Sequence, residues 1–99
     1  MKCLMYKDLY HPAVKKDLKK IDKNAKDNIK KTWIPKLLSK PFEGEELIGP
    51  LSGIRPYHLS IGRVQYRIAY SIHETEHIIK ILMIAKRESF YQILKRRLK

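Results

Sequence analysis

The residues best suited to chemistry in this 99-residue chain are its arginines, and all six lie after residue 54. The first forty residues carry twelve lysines and no arginine. A guanidinium is a planar fork that binds a phosphate through two hydrogen bonds, whereas a lysine ammonium acts as a compact point charge. Because this chain uses lysine for its general surface charge, the positions that keep arginine are candidates for binding phosphate oxygens.

Three of these arginines and one histidine are of the types that metal-free cleavage of RNA would require. Without a metal, that reaction needs a base for the 2′-hydroxyl proton, cations for the charge on the phosphate, and an acid for the departing 5′-oxygen. Arg63 and Arg67 share one face of a predicted strand, and Arg87 follows the next strand, so they can converge on one phosphate. The ordinary pKa of a histidine such as His58 lies close to neutral pH. We expect no metal or other cofactor, because the chain has no cluster of Cys and His and its acidic residues show no ligand spacing.

The charge balance predicts a polyanionic partner. Twenty-two Lys and Arg against ten Asp and Glu give a net charge of +12. Each phosphate that a basic side chain neutralises releases condensed counterions, so nucleic acid is the first partner class and an acidic protein the second. A membrane fits less well, since no basic helix has an extended apolar face. Further RNA-phosphate contacts are expected from Arg55, Arg63, Lys86, Arg96 and Arg97, the last two from a solvated basic tail.

Length and cysteine content limit the class of protein. Ninety-nine residues are enough for one domain, which we assign to residues 1–99. The single cysteine, Cys3, cannot form an internal disulfide and favours a reducing compartment. Charges interrupt residues 1–10 too early for a signal peptide, and no apolar stretch is long enough to span a bilayer. We therefore expect a cytoplasmic protein.

Hydrophobic spacing predicts the elements that position these side chains. Residues 2–7 are typical of a strand, and Pro12 suits the first turn of a helix. A second helix follows from about Asn24, and Pro35 should end or kink it. Beyond a Pro- and Gly-rich loop the apolar period changes to two, which predicts antiparallel strands over 54–60, 63–72 and 77–85 and a basic helix over 86–99. The third of these strands is apolar on both faces, so it should be central, covered by helices on one side and by a lid or partner on the other.

The order β-α-α-β-β-β-α gives an α+β fold, and several short motifs resemble those of one family. Leu51-Ser52-Gly53, followed after a strand by Gln65-Tyr66-Arg67-Ile68-Ala69-Tyr70, resembles the Leu-x-Gly and Tyr-Arg-(Ile/Val)-x-Tyr pattern of the RelE/ParE toxin superfamily. Lys86-Arg87-Glu88-Ser89-Phe90-Tyr91 resembles the closing motif of that family, and Pro41-Phe42-Glu43-Gly44 is similar to its YoeB branch. The resemblance implies a small twisted antiparallel sheet with two N-terminal helices packed on one face.

The resemblance also implies a function. It points to the toxin of a type II toxin–antitoxin system, a metal-independent endoribonuclease that cleaves mRNA in the ribosomal A site by attack of a 2′-hydroxyl on the adjacent phosphate. Arg67 would stabilise the phosphate, and Arg87 would do the same or protonate the leaving group. Tyr91 would orient the substrate or stack on a base.

The identity of the general base stays open between two residues. Many relatives place lysines on the strand that here reads Arg55-Pro56-Tyr57-His58-Leu59, which contains none. His58 is the natural substitute, although strand alternation puts it on the face opposite Arg55 and Tyr57 unless Pro56 introduces a bulge. The YoeB branch uses a glutamate from the loop after Phe-Glu-Gly, which Glu46, or Glu45, would match. We rank His58 ahead of Glu46.

Two other functions and one partner follow from the same resemblance. ParE-type toxins share the fold, inhibit DNA gyrase by protein contact and lack the nuclease residues, and a third possibility is an inactive relative that only binds RNA. The retention of Arg67, Arg87 and Tyr91 favours the nuclease, whereas the missing strand lysines count against it. A toxin also implies an antitoxin, here an acidic and partly disordered protein that covers the basic strand face or moves the C-terminal helix.

Overall fold

A four-stranded sheet forms the centre of the protein in a computed structural model that describes residues 6–42 and 53–97. Its strands are β1 (Lys7–Tyr10), β2 (Arg55–Ile61), β3 (Val64–His73) and β4 (Ile78–Lys86), arranged in the order β1-β4-β3-β2. The predicted antiparallel meander of β2, β3 and β4 is confirmed, and β1 adds one parallel pairing beside β4. The first strand begins at Lys7 and ends at Tyr10, later than the predicted range of 2–7, of which residues 2–5 lie outside the described part.

The N-terminal half forms the predicted helical layer. It contains α1 (Val14–Lys19), α2 (Lys23–Asn28) and α3 (Ile34–Ser39), and a π turn, Ile29–Trp33, joins the last two without a break. Asp22 caps α2 by accepting a hydrogen bond of 3.1 Å from the backbone N–H of Asn24. Pro35 does not end the helix: it lies in the first turn of α3, where a missing N–H is tolerated, directly after the wider π turn.

The core lies on both faces of the sheet. Helices α1 to α3 pack on one face, where Ile29, Leu37, Ile68 and Ile79 are fully buried. The C-terminal helix α4 (Phe90–Arg97) packs on the other, and its Phe90 and Leu94 are fully buried with Ala69 and Met83. Burial of each such aliphatic or aromatic side chain contributes about 1.5–3 kcal/mol. The predicted central place of β4 is confirmed, but a helix of the same chain covers its second face, where we had expected a lid or partner.

An ion pair fastens α4 to the rest of the protein. Arg97 Nη1 and Nη2 donate to the two carboxylate oxygens of Asp17 in α1 over 2.6 and 2.9 Å. The same carboxylate accepts the backbone N–H of Ile84 at 3.1 Å, and Arg97 also donates to the carbonyl of Leu82. The side chains of Arg97 and Asp17 are only 13% and 7% exposed. The prediction that Arg97 belongs to a solvated tail is therefore wrong, because its charge is used inside the fold.

Candidate active site

The candidate site is built around a pair of side chains on neighbouring strands. His58 of β2 lies directly opposite Arg67 of β3 in the ladder. Residues that face each other in antiparallel strands project from the same side of the sheet. Arg67 in turn lies opposite Ala85 of β4, which packs in the core beneath α4. Both side chains therefore emerge on the α4 side of the sheet, close to where that helix begins.

Arg67 is packed against two aromatic rings of α4. Its guanidinium carbon lies 5.8 Å from the ring centroid of Phe90 and 5.7 Å from that of Tyr91. Cation–π contacts of this kind hold the fork in a fixed orientation and contribute roughly 0.5–1 kcal/mol at exposed sites. The Nε atom is buried and has no hydrogen-bond acceptor among the described residues. An unpaired buried donor costs about 1–3 kcal/mol in stability. An oxyanion that bound this guanidinium would supply the acceptor that it lacks.

Arg87 approaches the site from the end of β4. It begins the short 3-10 turn Arg87–Ser89, which connects β4 to α4. Its Nη1 donates to the side-chain oxygen of Gln65 at 3.2 Å. Gln65 lies two residues before Arg67 on β3, and both project from the same sheet face. Gln65 was not predicted as a site residue, although strand alternation alone puts it on the Arg67 face.

The positive charges of this group change the protonation of His58. Partial burial, followed by the charges of Arg67 and Arg87, lowers the pKa of His58 below its ordinary value of 6.5. The imidazole is therefore neutral at physiological pH and has a nitrogen lone pair with which to accept a proton. We refer to His58, Arg67 and Arg87 as the basic cluster. It combines a neutral proton acceptor with two fixed cations, and the ring of Tyr91, 41% exposed, lies beside it.

Two predicted arginines lie away from the basic cluster. Arg55 shares the sheet face of Tyr57, opposite that of His58, and its guanidinium carbon lies 5.5 Å from the ring centroid of Phe42. Arg63 is exposed in the turn between β2 and β3 and does not lie on the strand face with Arg67 as predicted. That turn is one residue later than expected because Gly62, with φ +61°, occupies the left-handed position it requires.

The remaining predicted residues divide into three groups. Lys86 and Arg96 are exposed, and together with Lys20 they line a groove of about 550 Å³ between α1 and α4. Arg97 also lines this groove, where it forms the ion pair with Asp17. Tyr91 lies beside the basic cluster, as described above. Glu46 and Glu45, the alternative bases, lie outside the described residues. Within residues 6–42 and 53–97, no three His, Cys, Asp or Glu side chains group closely enough to hold a metal ion.

Comparison with known proteins places this chain in a family. The model of the ParE-like toxins of type II bacterial toxin–antitoxin systems matches residues 9–95. The chain is also similar to a RelBE toxin–antitoxin complex from Mycobacterium tuberculosis, with a TM-score of 0.75 and 20% identity over 85% of this chain and 100% of that one. An arginine double mutant of the E. coli RelE toxin in the free state gives a TM-score of 0.68 and 19% identity over 94% and 98%.

A third structure is the intact E. coli RelBE toxin–antitoxin complex, with a TM-score of 0.64 and 15% identity over 82% of this chain and 95% of that one. At these identities the three structures establish the shared fold, a four-stranded sheet with packed helices. No curated protein matches the sequence. Among the described residues, no helix has the length and apolar character needed to cross a membrane.

Proposed function

The chain belongs to the ParE-like toxins of type II bacterial toxin–antitoxin systems, and from that premise we propose that it is a metal-independent endoribonuclease that cleaves mRNA in the ribosomal A site. The convergence of the basic cluster carries the proposal. His58 faces Arg67 across the ladder, and the charges of Arg67 and Arg87 both act on His58. A toxin that inhibits its target by surface contact alone does not need a neutral imidazole on the same sheet face as two guanidinium groups.

The cluster supplies each of the groups that the reaction needs. Neutral His58 takes the proton of a ribose 2′-hydroxyl, and the oxygen attacks the adjacent phosphorus. Arg67 and Arg87 bind the non-bridging oxygens, where negative charge grows as the new P–O bond forms. The bond from phosphorus to the 5′-oxygen then breaks, and that oxygen takes a proton from Arg87, which regains one from water, while His58 releases the proton it accepted to solvent. The products are a 2′,3′-cyclic phosphate and a 5′-hydroxyl.

The surface charge supports a ribosomal location for this reaction. Many lysines of the helical layer are exposed, among them Lys15, Lys16, Lys19, Lys20, Lys23, Lys30 and Lys31. Together with Lys86 and Arg96, they give the protein a wide positive surface beyond the basic cluster. Such a surface binds RNA phosphates without regard to sequence, mainly by counterion release. Ribosomal RNA would then orient the toxin, leaving the basic cluster to act on the mRNA.

A cognate antitoxin is the second partner that we propose. Two of the similar structures are toxin–antitoxin complexes. Because this chain carries a net charge of +12, its antitoxin should be acidic and should fold on binding. An antitoxin that covers the basic strand face or displaces α4 would block the basic cluster, since Phe90 and Tyr91 of α4 pack against Arg67.

The name of the matching family favours one alternative, inhibition of DNA gyrase. Primer extension on a defined mRNA in a reconstituted translation system separates the two functions. We expect cuts within the A-site codon that require ribosomes and that Arg67→Ala reduces by roughly 10²–10³-fold, the cost of removing one preorganised oxyanion donor. Arg63→Ala, which removes the same charge from the exposed turn, should leave cleavage close to that of the wild type. Intact mRNA, together with inhibition in a gyrase supercoiling assay, would establish the alternative instead.

A further inference from the structure

Gln65 lies beside the basic cluster and has no part in the reaction as described. On β3 it projects from the same sheet face as Arg67. The last pair of the β3–β4 ladder is Tyr66 with Lys86, so Gln65 and Arg87 are the next two facing positions. The chain has already left the strand for the 3-10 turn at Arg87, and the ladder no longer fixes its position.

The two arginines of the basic cluster are held by different groups. Arg67 packs against the rings of Phe90 and Tyr91. Arg87 is exposed, and among the described residues the only hydrogen-bond partner of its side chain is the side-chain oxygen of Gln65, 3.2 Å from Nη1. A long exposed side chain without such a partner samples many rotamers. The bond to Gln65 therefore limits the space in which the charge of Arg87 moves.

The group that holds Arg87 is uncharged. An amide oxygen accepts a hydrogen bond but carries no net charge, so Arg87 keeps its full positive charge. A carboxylate in the same place would bind the guanidinium more strongly, but it would also compete with the phosphate. Over residues 6–42 and 53–97 neither Arg67 nor Arg87 forms an ion pair, although Glu88 follows Arg87 directly. Gln65 is therefore an acceptor that leaves the charge of the basic cluster intact.

We infer that Gln65 is a positioning residue for the reaction proposed above, and that its amide holds Arg87 beside the rest of the basic cluster without neutralising it. Gln65 acts through Arg87 alone and touches none of the reacting atoms. Without this bond the guanidinium would spend part of its time in solvent, away from the phosphate that it has to bind. The role rests on RNA cleavage by the basic cluster, and it adds a residue on which the placement of one of the two cations depends.

A double-mutant cycle tests whether Gln65 acts through Arg87. The four proteins are the wild type, Gln65→Ala, Arg87→Ala and the variant with both substitutions. The measurement is the pKa of His58, by nuclear magnetic resonance titration without RNA. We expect Gln65→Ala to raise this pKa, because the charge of Arg87, which lowers it in the wild type, is no longer held near the imidazole. In the Arg87→Ala background the same substitution should leave the pKa unchanged.

The control uses the only other glutamine of the chain, Gln92, which is exposed on α4. Gln92→Ala should leave the pKa of His58 at the wild-type value. Gln65 is exposed as well, so its replacement removes no core contact. An unchanged pKa in Gln65→Ala would overturn the inference. An equal rise with and without Arg87 would also overturn it, since Gln65 would then act on His58 directly.

Single-turnover cleavage of ribosome-bound mRNA adds a readout that a purely structural residue would not change. Gln65→Ala should cleave roughly 2- to 12-fold more slowly, the value of one hydrogen bond. Gln65→Glu should keep Arg87 in place but raise the pKa of His58, so that the acid limb of its pH–rate profile moves to higher pH. A wild-type profile in Gln65→Glu would contradict the need for an uncharged acceptor. The pKa cycle requires neither RNA nor cleavage, so an inactive protein can still show the coupling and an active nuclease can lack it. The two proposals therefore fail independently.

Discussion

His58 and Arg67 occupy facing positions on β2 and β3, so that a titratable imidazole and a permanent cation project from the same side of the sheet. Arg87 adds a second positive charge that acts on the same imidazole. The cations oppose protonation of His58 while the site is empty. A bound phosphodiester supplies the opposite charge and thereby makes the imidazolium easier to form. The site is thus arranged to take up a proton once RNA is bound.

The first prediction concerns the pKa of His58 and does not depend on any activity. Nuclear magnetic resonance titration of the His58 ring protons should give a pKa below 6.5 in the wild type. In Arg67→Gln the pKa should rise, because one of the charges that disfavour the imidazolium has been removed. Arg63→Gln, in the exposed turn, is the matched control and should leave the pKa where it was. A His58 that titrates at or above 6.5 in the wild type would contradict the electrostatics of the cluster.

A second prediction separates the ring of Tyr91 from its hydroxyl. The Tyr91 ring lies 5.7 Å from the guanidinium carbon of Arg67, and no described residue forms a hydrogen bond that fixes its hydroxyl. If the ring stacks on a base, Tyr91→Phe should cleave mRNA nearly as well as the wild type. Tyr91→Ala should raise the toxin concentration required for half-maximal cleavage roughly 5- to 150-fold, which is the loss of affinity expected for one base–aromatic stack. An equal loss of mRNA cleavage in Tyr91→Phe and Tyr91→Ala would instead assign the role of Tyr91 to its hydroxyl.

The third prediction concerns the ion pair that anchors α4. Arg97→Leu leaves the carboxylate of Asp17 buried without its partner, and breaking a buried pair in this way costs about 3–5 kcal/mol in the free energy of unfolding. The exposed neighbour Arg96 provides the control, since a substitution there should change stability by no more than about 0.5 kcal/mol. Urea unfolding of Arg97→Leu and Arg96→Leu measures both values. Similar small changes in the two variants would show that the pair does not anchor the helix.

Local patterns in the sequence were enough to predict most of the strands and part of the site. The period of two over β3 predicts that Tyr66 and Tyr70 share one sheet face, and both are buried in the core. The same alternation put His58 on the sheet face opposite Arg55, and that placement brings His58 to Arg67. These predictions succeeded because the alternation of side chains is a local property of a strand, set by the backbone alone.

Contacts between distant segments could not be predicted in the same way. Arg97 pairs with Asp17, 80 residues earlier in the chain, and nothing near either residue indicates the other. The hydrogen bond from Arg87 to Gln65 depends on the relation between β3 and the end of β4, which the hydrophobic pattern does not determine. The second face of β4 was predicted to be covered by a lid or partner, whereas α4 covers it. The hydrophobic period that predicts α4 does not say which sheet face the helix packs against.

The most direct test of the central claim is a comparison of His58→Ala with Glu46→Gln in single-turnover cleavage of ribosome-bound mRNA, alongside a pelleting assay for ribosome binding. We predict that His58→Ala binds ribosomes like the wild type but cleaves roughly 10²–10⁴-fold more slowly, the usual contribution of a general base. Glu46→Gln should cleave at the wild-type rate. Wild-type cleavage by His58→Ala, or loss of cleavage in Glu46→Gln alone, would contradict the assignment of His58 as the base opposite Arg67.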